Sequence, residues 1–139
     1  MSGLLTDIDH VGIAVEDLDA AVAHYQRTLG LDPVHREVVP DQGVEEVLFH
    51  VGSSFVQLLG ALGSDTPVGK FLAKHGPGLH HIGYRVSDVA EALERLKANG
   101  VPLIDEVPRD GPRGTTIAFV HPKGFDGVLV ELVQGNEAT

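Results

Sequence analysis

An internal repeat constrains the fold of this chain more than any other feature of its sequence. The segment DHVGIAVEDLDAAVAHYQ at 9–26 aligns without gaps with HHIGYRVSDVAEALERLK at 80–97, which places His10 on His81. Each segment begins with the alternating pattern of a strand and continues with apolar residues at helical spacing. Because one such unit cannot bury its own apolar face, the chain is expected to pair two copies of a strand–helix module.

Polar and glycine residues mark the ends of the repeated helices. Asp17 is expected to cap the first helix and Gly30 to end it. In the second copy Asp88 precedes Glu91 by three residues, which is the spacing of a capping box, and Gly100 follows as the predicted end. The two helices therefore occupy matching positions in the two copies.

Short β-like runs follow each helix. The first half contains DPVHREVV, GVEEVLFHV and SFVQLL, and the second contains VPLIDEV, TTIAFVH and GVLVEL. Each half thus has the order βαβββ. The predicted fold is α+β, with two βαβββ modules forming a cupped eight-stranded mixed sheet and the helices on its outer side.

A single domain over 1–139 accommodates both modules. Module one covers about 7–60 and module two about 78–134, with a linker at 61–77 that carries one short helix capped by Thr66.

Composition excludes several classes of function. The formal net charge is −10, whereas nucleic-acid binding requires clustered Lys and Arg. No apolar run approaches the roughly 20 residues of a membrane helix, and the N-terminal MSGLLTDID lacks the pattern of a signal peptide. With no cysteine, a metal must be held by nitrogen and oxygen ligands. These features predict a cytoplasmic protein without nucleic-acid or membrane partners.

The repeat selects four polar positions on otherwise apolar strands. His10 and His81 share a strand face with Gly12 and Gly83, whereas His80 points to the opposite face. Aligning the closing strands, FVQLL over LVELV, adds a second pair of equivalent positions. The four side chains are His10, Gln57, His81 and Glu131.

These side chains predict a divalent transition-metal site. Two imidazoles, an amide oxygen and a carboxylate would leave two positions of an octahedral ion open for substrate oxygens. Glu131 lies within the apolar run VLVELV, where an unpaired charge would be costly, so a cation partner explains its presence.

Five motifs carry a resemblance to a known family: DHVGIAV, HYQRTLG, QGVEE, GLHHIGYRV and HPKGFDGVLVEL. Together they resemble the methylmalonyl-CoA epimerases, which belong to the vicinal oxygen chelate (glyoxalase-like) superfamily. The resemblance runs from about Ile8 to Gln134. It implies the same four metal ligands, a divalent ion that is most often Co²⁺ with Mn²⁺, Ni²⁺ or Zn²⁺ as alternatives, and a homodimer. It also implies that Glu46, two residues after QGV, is a catalytic base.

The implied reaction is the interconversion of (R)- and (S)-methylmalonyl-CoA through a metal-stabilised enolate. Inversion requires an acid and a base on opposite faces of the planar intermediate. Glu46 and Glu131 are the candidates, and the sequence leaves open which glutamate serves which face. Arg85, on the inward strand face, could meet the substrate carboxylate or form an internal ion pair. Four further histidines show no cluster in the sequence: His24, His35, His50 and His75.

Two classes of alternative remain. The same scaffold supports an ethylmalonyl-CoA epimerase, a glyoxalase or a dioxygenase, although a dioxygenase uses two histidines and one carboxylate and has no role for Gln57. The second class is a metal-free protein that binds and sequesters a small molecule. Such a groove favours aromatic residues, and this chain has 5% aromatics and no tryptophan.

Overall fold

The computed structural model describes residues 3–135 and contains eight strands and three α-helices within that range. In chain order the elements are β1 (Leu5–Val15), α1 (Leu18–Leu29), β2 (Pro33–Val39), β3 (Val44–Val51), β4 (Ser54–Ala61), α2 (Pro67–His75), β5 (Gly78–Val86), α3 (Val89–Ala98), β6 (Arg109–Asp110), β7 (Thr116–Val120) and β8 (Val130–Gln134). The strands form a mixed sheet with the order β2-β3-β4-β1-β5-β8-β7-β6. The predicted fold class, two βαβββ modules in an eight-stranded mixed sheet, is confirmed.

The helix ends follow from local chemistry. The Asp17 side chain accepts a hydrogen bond from the Ala20 N–H, and Gly30 ends α1 at φ +67°, a left-handed conformation that glycine adopts without strain. Asp88 likewise accepts from the Glu91 N–H at 3.1 Å. These caps confirm the predicted starts of α1 and α3.

The described part of the chain divides into two compact units, one of residues 10–80 and one of residues 3–9 with 81–135. In the first unit α1 packs on one face of the sheet, where Val22 contacts a cluster that includes Phe49 and Leu58. The linker helix α2 packs on the opposite face, with Val68 against Ala14 and Leu59. The expectation that all helices lie on one outer face is therefore wrong for α2. Alternation explains the difference, because the adjacent residues Leu58 and Leu59 face opposite ways.

The segment VPLIDEV at 101–107 is not the strand that its pattern predicted. Apart from an isolated bridge between Leu103 and Val120, it makes no strand, and β6 is the two-residue Arg109–Asp110. The Ile104 and Asp105 N–H groups both donate to the Phe119 carbonyl, and the Asp105 carboxylate accepts from the Phe119 N–H at 2.8 Å. Two backbone donors that share one carbonyl, together with one side-chain acceptor, thus replace the regular ladder along this edge.

The second unit has its own core, and α3 supplies a central part of it. Leu93 is 2% exposed and packs in one cluster with Val86, Ala118 and Val120. We expect Leu93→Ala to lower the free energy of unfolding by about 2–5 kcal/mol, because it leaves a cavity in a closed apolar cluster. Leu29→Ala is the matched control, since Leu29 is 62% exposed, and it should change stability by less than about 0.5 kcal/mol. Urea denaturation measures both; equal losses would contradict this account of the core.

Candidate metal and proton-transfer site

In the first unit, β1 and β4 bring His10 and Gln57 to one face of the sheet. The two strands run parallel, and Gln57 is directly opposite Gly12, two residues beyond His10. Residues two apart on a strand share a face, so His10 and Gln57 point to the same side. Both are buried, at 2% and 6% exposed.

In the second unit, β5 and β8 repeat this arrangement with the same register. Glu131 is opposite Gly83, two residues beyond His81. The His81 Nε2 lies 3.0 Å from the Glu131 Oε1, and both side chains are buried. The repeated glycine leaves the position across from Gln57, and the one across from Glu131, without a side chain.

Glu46 lies beside Gln57 in the first unit. The Gln57 Nε2 donates a hydrogen bond of 2.8 Å to the Glu46 Oε1, and Glu46 is 1% exposed. Because an ionised carboxylate only accepts hydrogen bonds, this contact directs the amide nitrogen to Glu46. The Gln57 Oε1 is buried and receives no hydrogen bond within the described residues. A buried amide oxygen with no donor fits a cation ligand, since leaving it unsatisfied carries a cost.

The neighbouring glutamate has a different environment. Glu45 points to the other face of β3 and accepts a 2.8 Å hydrogen bond from the Arg36 Nε, while the Arg36 Nη2 bonds to Asp19. The hydrogen bond with Glu45, followed by that with Asp19, raises the pKa of Arg36 above its usual value. Glu45 is therefore part of a surface ion pair, whereas Glu46 is buried at 1% exposed.

Two sequence-based alternatives are decided by ion pairs in the second unit. Arg85 donates to the Asp9 Oδ1 at 3.0 Å, and Arg113 donates to the Asp9 Oδ2 at 3.1 Å. Asp9 is 2% exposed, so the two guanidinium groups neutralise a buried carboxylate. Of the two roles considered for Arg85, the structure thus shows the internal ion pair with Asp9 and not a guanidinium left to bind a substrate carboxylate.

One group near the site is missed by the sequence analysis. His35, on β2, has its Nε2 2.8 Å from the Glu37 Oε1 and 3.7 Å from the Glu46 Oε2. Glu37 is directly across from Glu46 in the antiparallel pairing of β2 with β3. The statement that His35 has no cluster around it is wrong. The spacing of His35 and Glu37 two residues apart, on one strand face, is the signal that pointed to it.

Comparisons with known proteins decide the family. Residues 9–119 match the model of the glyoxalase/bleomycin resistance protein/dioxygenase superfamily. The ethylmalonyl-CoA/methylmalonyl-CoA epimerase of Cereibacter sphaeroides is 40% identical over 129 residues, covering 91% of this chain and 96% of the relative. The crystal structure of methylmalonyl-CoA epimerase from Mycobacterium tuberculosis superposes with a TM-score of 0.94 at 42% identity, covering 99% of this chain and 93% of that one.

The chain belongs to the methylmalonyl-CoA epimerase family. A second solved structure is that of the Streptomyces coelicolor methylmalonyl-CoA epimerase (S115T) in complex with 2-nitronate-propionyl-CoA. It superposes on this chain with a TM-score of 0.93 at 42% identity, covering 96% of this chain and 97% of that one. The resemblance to the epimerase family is thereby confirmed. Among the helices of residues 3–135, none combines the length and the apolar character needed to cross a membrane.

Proposed function

We propose that this protein interconverts (R)- and (S)-methylmalonyl-CoA by moving a proton at the carbon between the thioester and the carboxylate. The protein is an isomerase of the racemase/epimerase class, as is the Cereibacter sphaeroides epimerase to which it is 40% identical. The observation that carries the proposal is the buried hydrogen bond between Gln57 and Glu46. It supports the proposal because a buried carboxylate lies beside an amide whose oxygen receives no hydrogen bond within the described residues.

We infer that one divalent ion binds to four side chains, those of His10, Gln57, His81 and Glu131. Within each unit the strand of the histidine pairs in parallel with the strand of the second side chain, and the register is the same in both units. Imidazole and oxygen donors without thiolate suit a divalent first-row metal. Co²⁺ is our first choice, with Mn²⁺, Ni²⁺ and Zn²⁺ as alternatives.

A divalent ion held by these side chains would supply positive charge that stabilises the negative charge developing on a thioester oxygen. The protein side chains do the rest. Glu46, held by Gln57, takes or returns the proton on one face of the planar intermediate. Glu131 is our candidate for the opposite face, so that a proton removed from one side is replaced from the other. Burial of Glu46 keeps bulk water from the transfer.

A homodimer and an acyl-CoA as the small-molecule partner, both implied by the family resemblance, complete the proposal. A cytoplasmic location, which the composition predicts, is added to them. The acyl group is the open choice among the enzyme alternatives. The Cereibacter sphaeroides relative is named for both ethylmalonyl-CoA and methylmalonyl-CoA, which makes the ethyl substrate the second candidate.

Deuterium uptake from heavy water tests the function directly. We expect cobalt-reconstituted protein to exchange the α-proton of methylmalonyl-CoA rapidly and metal-free protein to lose most of this exchange. Ethylmalonyl-CoA, assayed in parallel, ranks the two acyl groups by kcat/KM. Absence of exchange with either substrate, in protein that carries stoichiometric metal, would refute the epimerase proposal and return attention to the glyoxalase and dioxygenase reactions.

A further inference from the structure

Three titratable side chains of β2 and β3 lead from the interior to the surface. The order is Glu46, His35 and Glu37, whose side chains are 1%, 31% and 37% exposed. A single imidazole nitrogen, the His35 Nε2, lies between the two carboxylates, 3.7 Å from Glu46 and 2.8 Å from Glu37. One atom each from the three residues lies within 4.8 Å of the others. The set therefore connects a buried carboxylate to solvent through one nitrogen.

A two-base epimerase needs such a connection. When Glu46 removes the α-proton and the second acid delivers another, the enzyme ends the turnover with Glu46 protonated and the second group deprotonated. Another turnover in the same direction requires both groups to exchange protons with solvent. Glu46 is almost completely buried and its Oε1 is occupied by the Gln57 amide, so direct exchange with bulk water is obstructed.

We propose that His35 is the proton relay that returns Glu46 to its starting protonation state. This inference rests on the proposed function. In the imidazolium form of His35 the Nε2–H donates to Glu37, and this N–H bond breaks first as its proton passes to the Glu37 Oε1, which releases it to water. The Glu46 O–H bond then breaks as its proton joins the vacated Nε2, which restores the imidazolium. The net result is one proton moved from Glu46 to water, and no electron moves.

The geometry suits transfer through a single atom. Because the same nitrogen faces both carboxylates, the ring receives and gives up the proton without exchanging tautomers. The 2.8 Å contact with Glu37 is a hydrogen bond, whereas 3.7 Å to Glu46 exceeds hydrogen-bond length by somewhat less than 1 Å. A small rotation of the half-exposed ring closes that distance at the transfer step. His35 is thus a positioning and relay residue that acts through Glu46.

His35→Gln tests the relay by steady-state kinetics, with His24→Gln on the exposed face of α1 as the matched histidine control. At low substrate the free enzyme has time to recover its protonation state, so kcat/KM should stay within about twofold of wild type. At saturation the recovery step limits turnover, so kcat and KM should fall together, by about tenfold or more. Imidazole added to the assay should restore kcat and leave kcat/KM unchanged.

Isotope exchange gives an independent readout. The readout is the fraction of substrate that gets its original hydrogen back in heavy water, measured with the enantiomer that Glu46 deprotonates. This fraction should be higher in His35→Gln than in wild type, because the proton leaves Glu46 slowly in the variant. Glu37→Gln should show a weaker form of the same change, since it removes only the last acceptor. A purely structural role would lower kcat/KM and would not respond to imidazole.

The outcomes separate the two proposals. If wild-type protein is active and His35→Gln has the same kcat, KM and hydrogen return as wild type, the relay proposal alone is overturned. A uniform fall in kcat/KM without imidazole rescue also overturns it. Wild-type protein that exchanges no α-proton overturns the proposed function and the relay with it.

Discussion

Glu46→Gln should lower the rate of α-proton exchange by roughly 10²- to 10⁴-fold, the range that a positioned acid or base contributes. The substitution keeps the size of the side chain, and its amide oxygen still accepts from the Gln57 Nε2, which lies 2.8 Å from the Glu46 Oε1 in the native protein. Fold and metal binding should therefore be retained while proton transfer is lost. Deuterium uptake into methylmalonyl-CoA, with the bound metal determined on the same sample, measures the effect.

Glu45→Gln is the matched control for this experiment. Glu45 is the adjacent residue, has the same chemistry and points to the opposite face, where it bonds to Arg36. Loss of that exposed ion pair should cost little stability and leave exchange near the wild-type rate. If Glu46→Gln retains full activity, or if Glu45→Gln is equally impaired, the assignment of Glu46 as the base is wrong.

His81→Ala should produce the second large effect, a loss of metal affinity. It removes an imidazole that lies 3.0 Å from Glu131 in a buried pair. We expect Kd for Co²⁺ to rise by at least about 100-fold, because loss of groups that merely support a ligand already costs about 10- to 100-fold. Calorimetric titration of metal into metal-free protein measures this change without reference to activity.

Thermal unfolding provides a second measure of the same change. Metal at about 100 times its Kd should stabilise wild-type protein by about 2.7 kcal/mol, and this gain should fall to about 0.4 kcal/mol or less in His81→Ala at the same concentration. His80→Gln is the matched control, because His80 is the adjacent histidine and packs edge-on against the Phe71 ring at 5.0 Å. Equal metal affinity in wild type and His81→Ala would exclude His81 as a ligand.

Much of the fold is predictable because its signals are local or repeated. The capping carboxylates of Asp17 and Asp88 lie beside the N–H groups they bind, so the sequence contains both partners of each contact. The apolar pattern of the edge segment at 101–107 predicts a strand, and this prediction is wrong because the pattern does not reveal that the Asp105 carboxylate accepts from the Phe119 N–H. That contact joins residues 14 positions apart, and a pattern of neighbours cannot report it.

The candidate site likewise combines features that the sequence predicts with features that it leaves ambiguous. Strand alternation and the repeat select four candidate ligand positions from the sequence alone. Gln57 lies opposite Gly12 just as Glu131 lies opposite Gly83, which is the symmetry that the repeat predicts. Their role as ligands remains a prediction. The family resemblance, rather than any pattern, singled out Glu46 from Glu45, because adjacent glutamates on a strand are ambiguous until the buried face is known.

The sequence by itself determined the two βαβββ modules, the helix starts and the family, because repeats, periodicity and motifs are properties of neighbouring residues. Only the tertiary structure decided which way the Gln57 amide points, where α2 packs and that His35 lies 3.7 Å from Glu46. Each of these depends on the pairing of strands and on packing between separate elements. Those contacts form only when distant parts of the chain meet, so their geometry follows from the folded state.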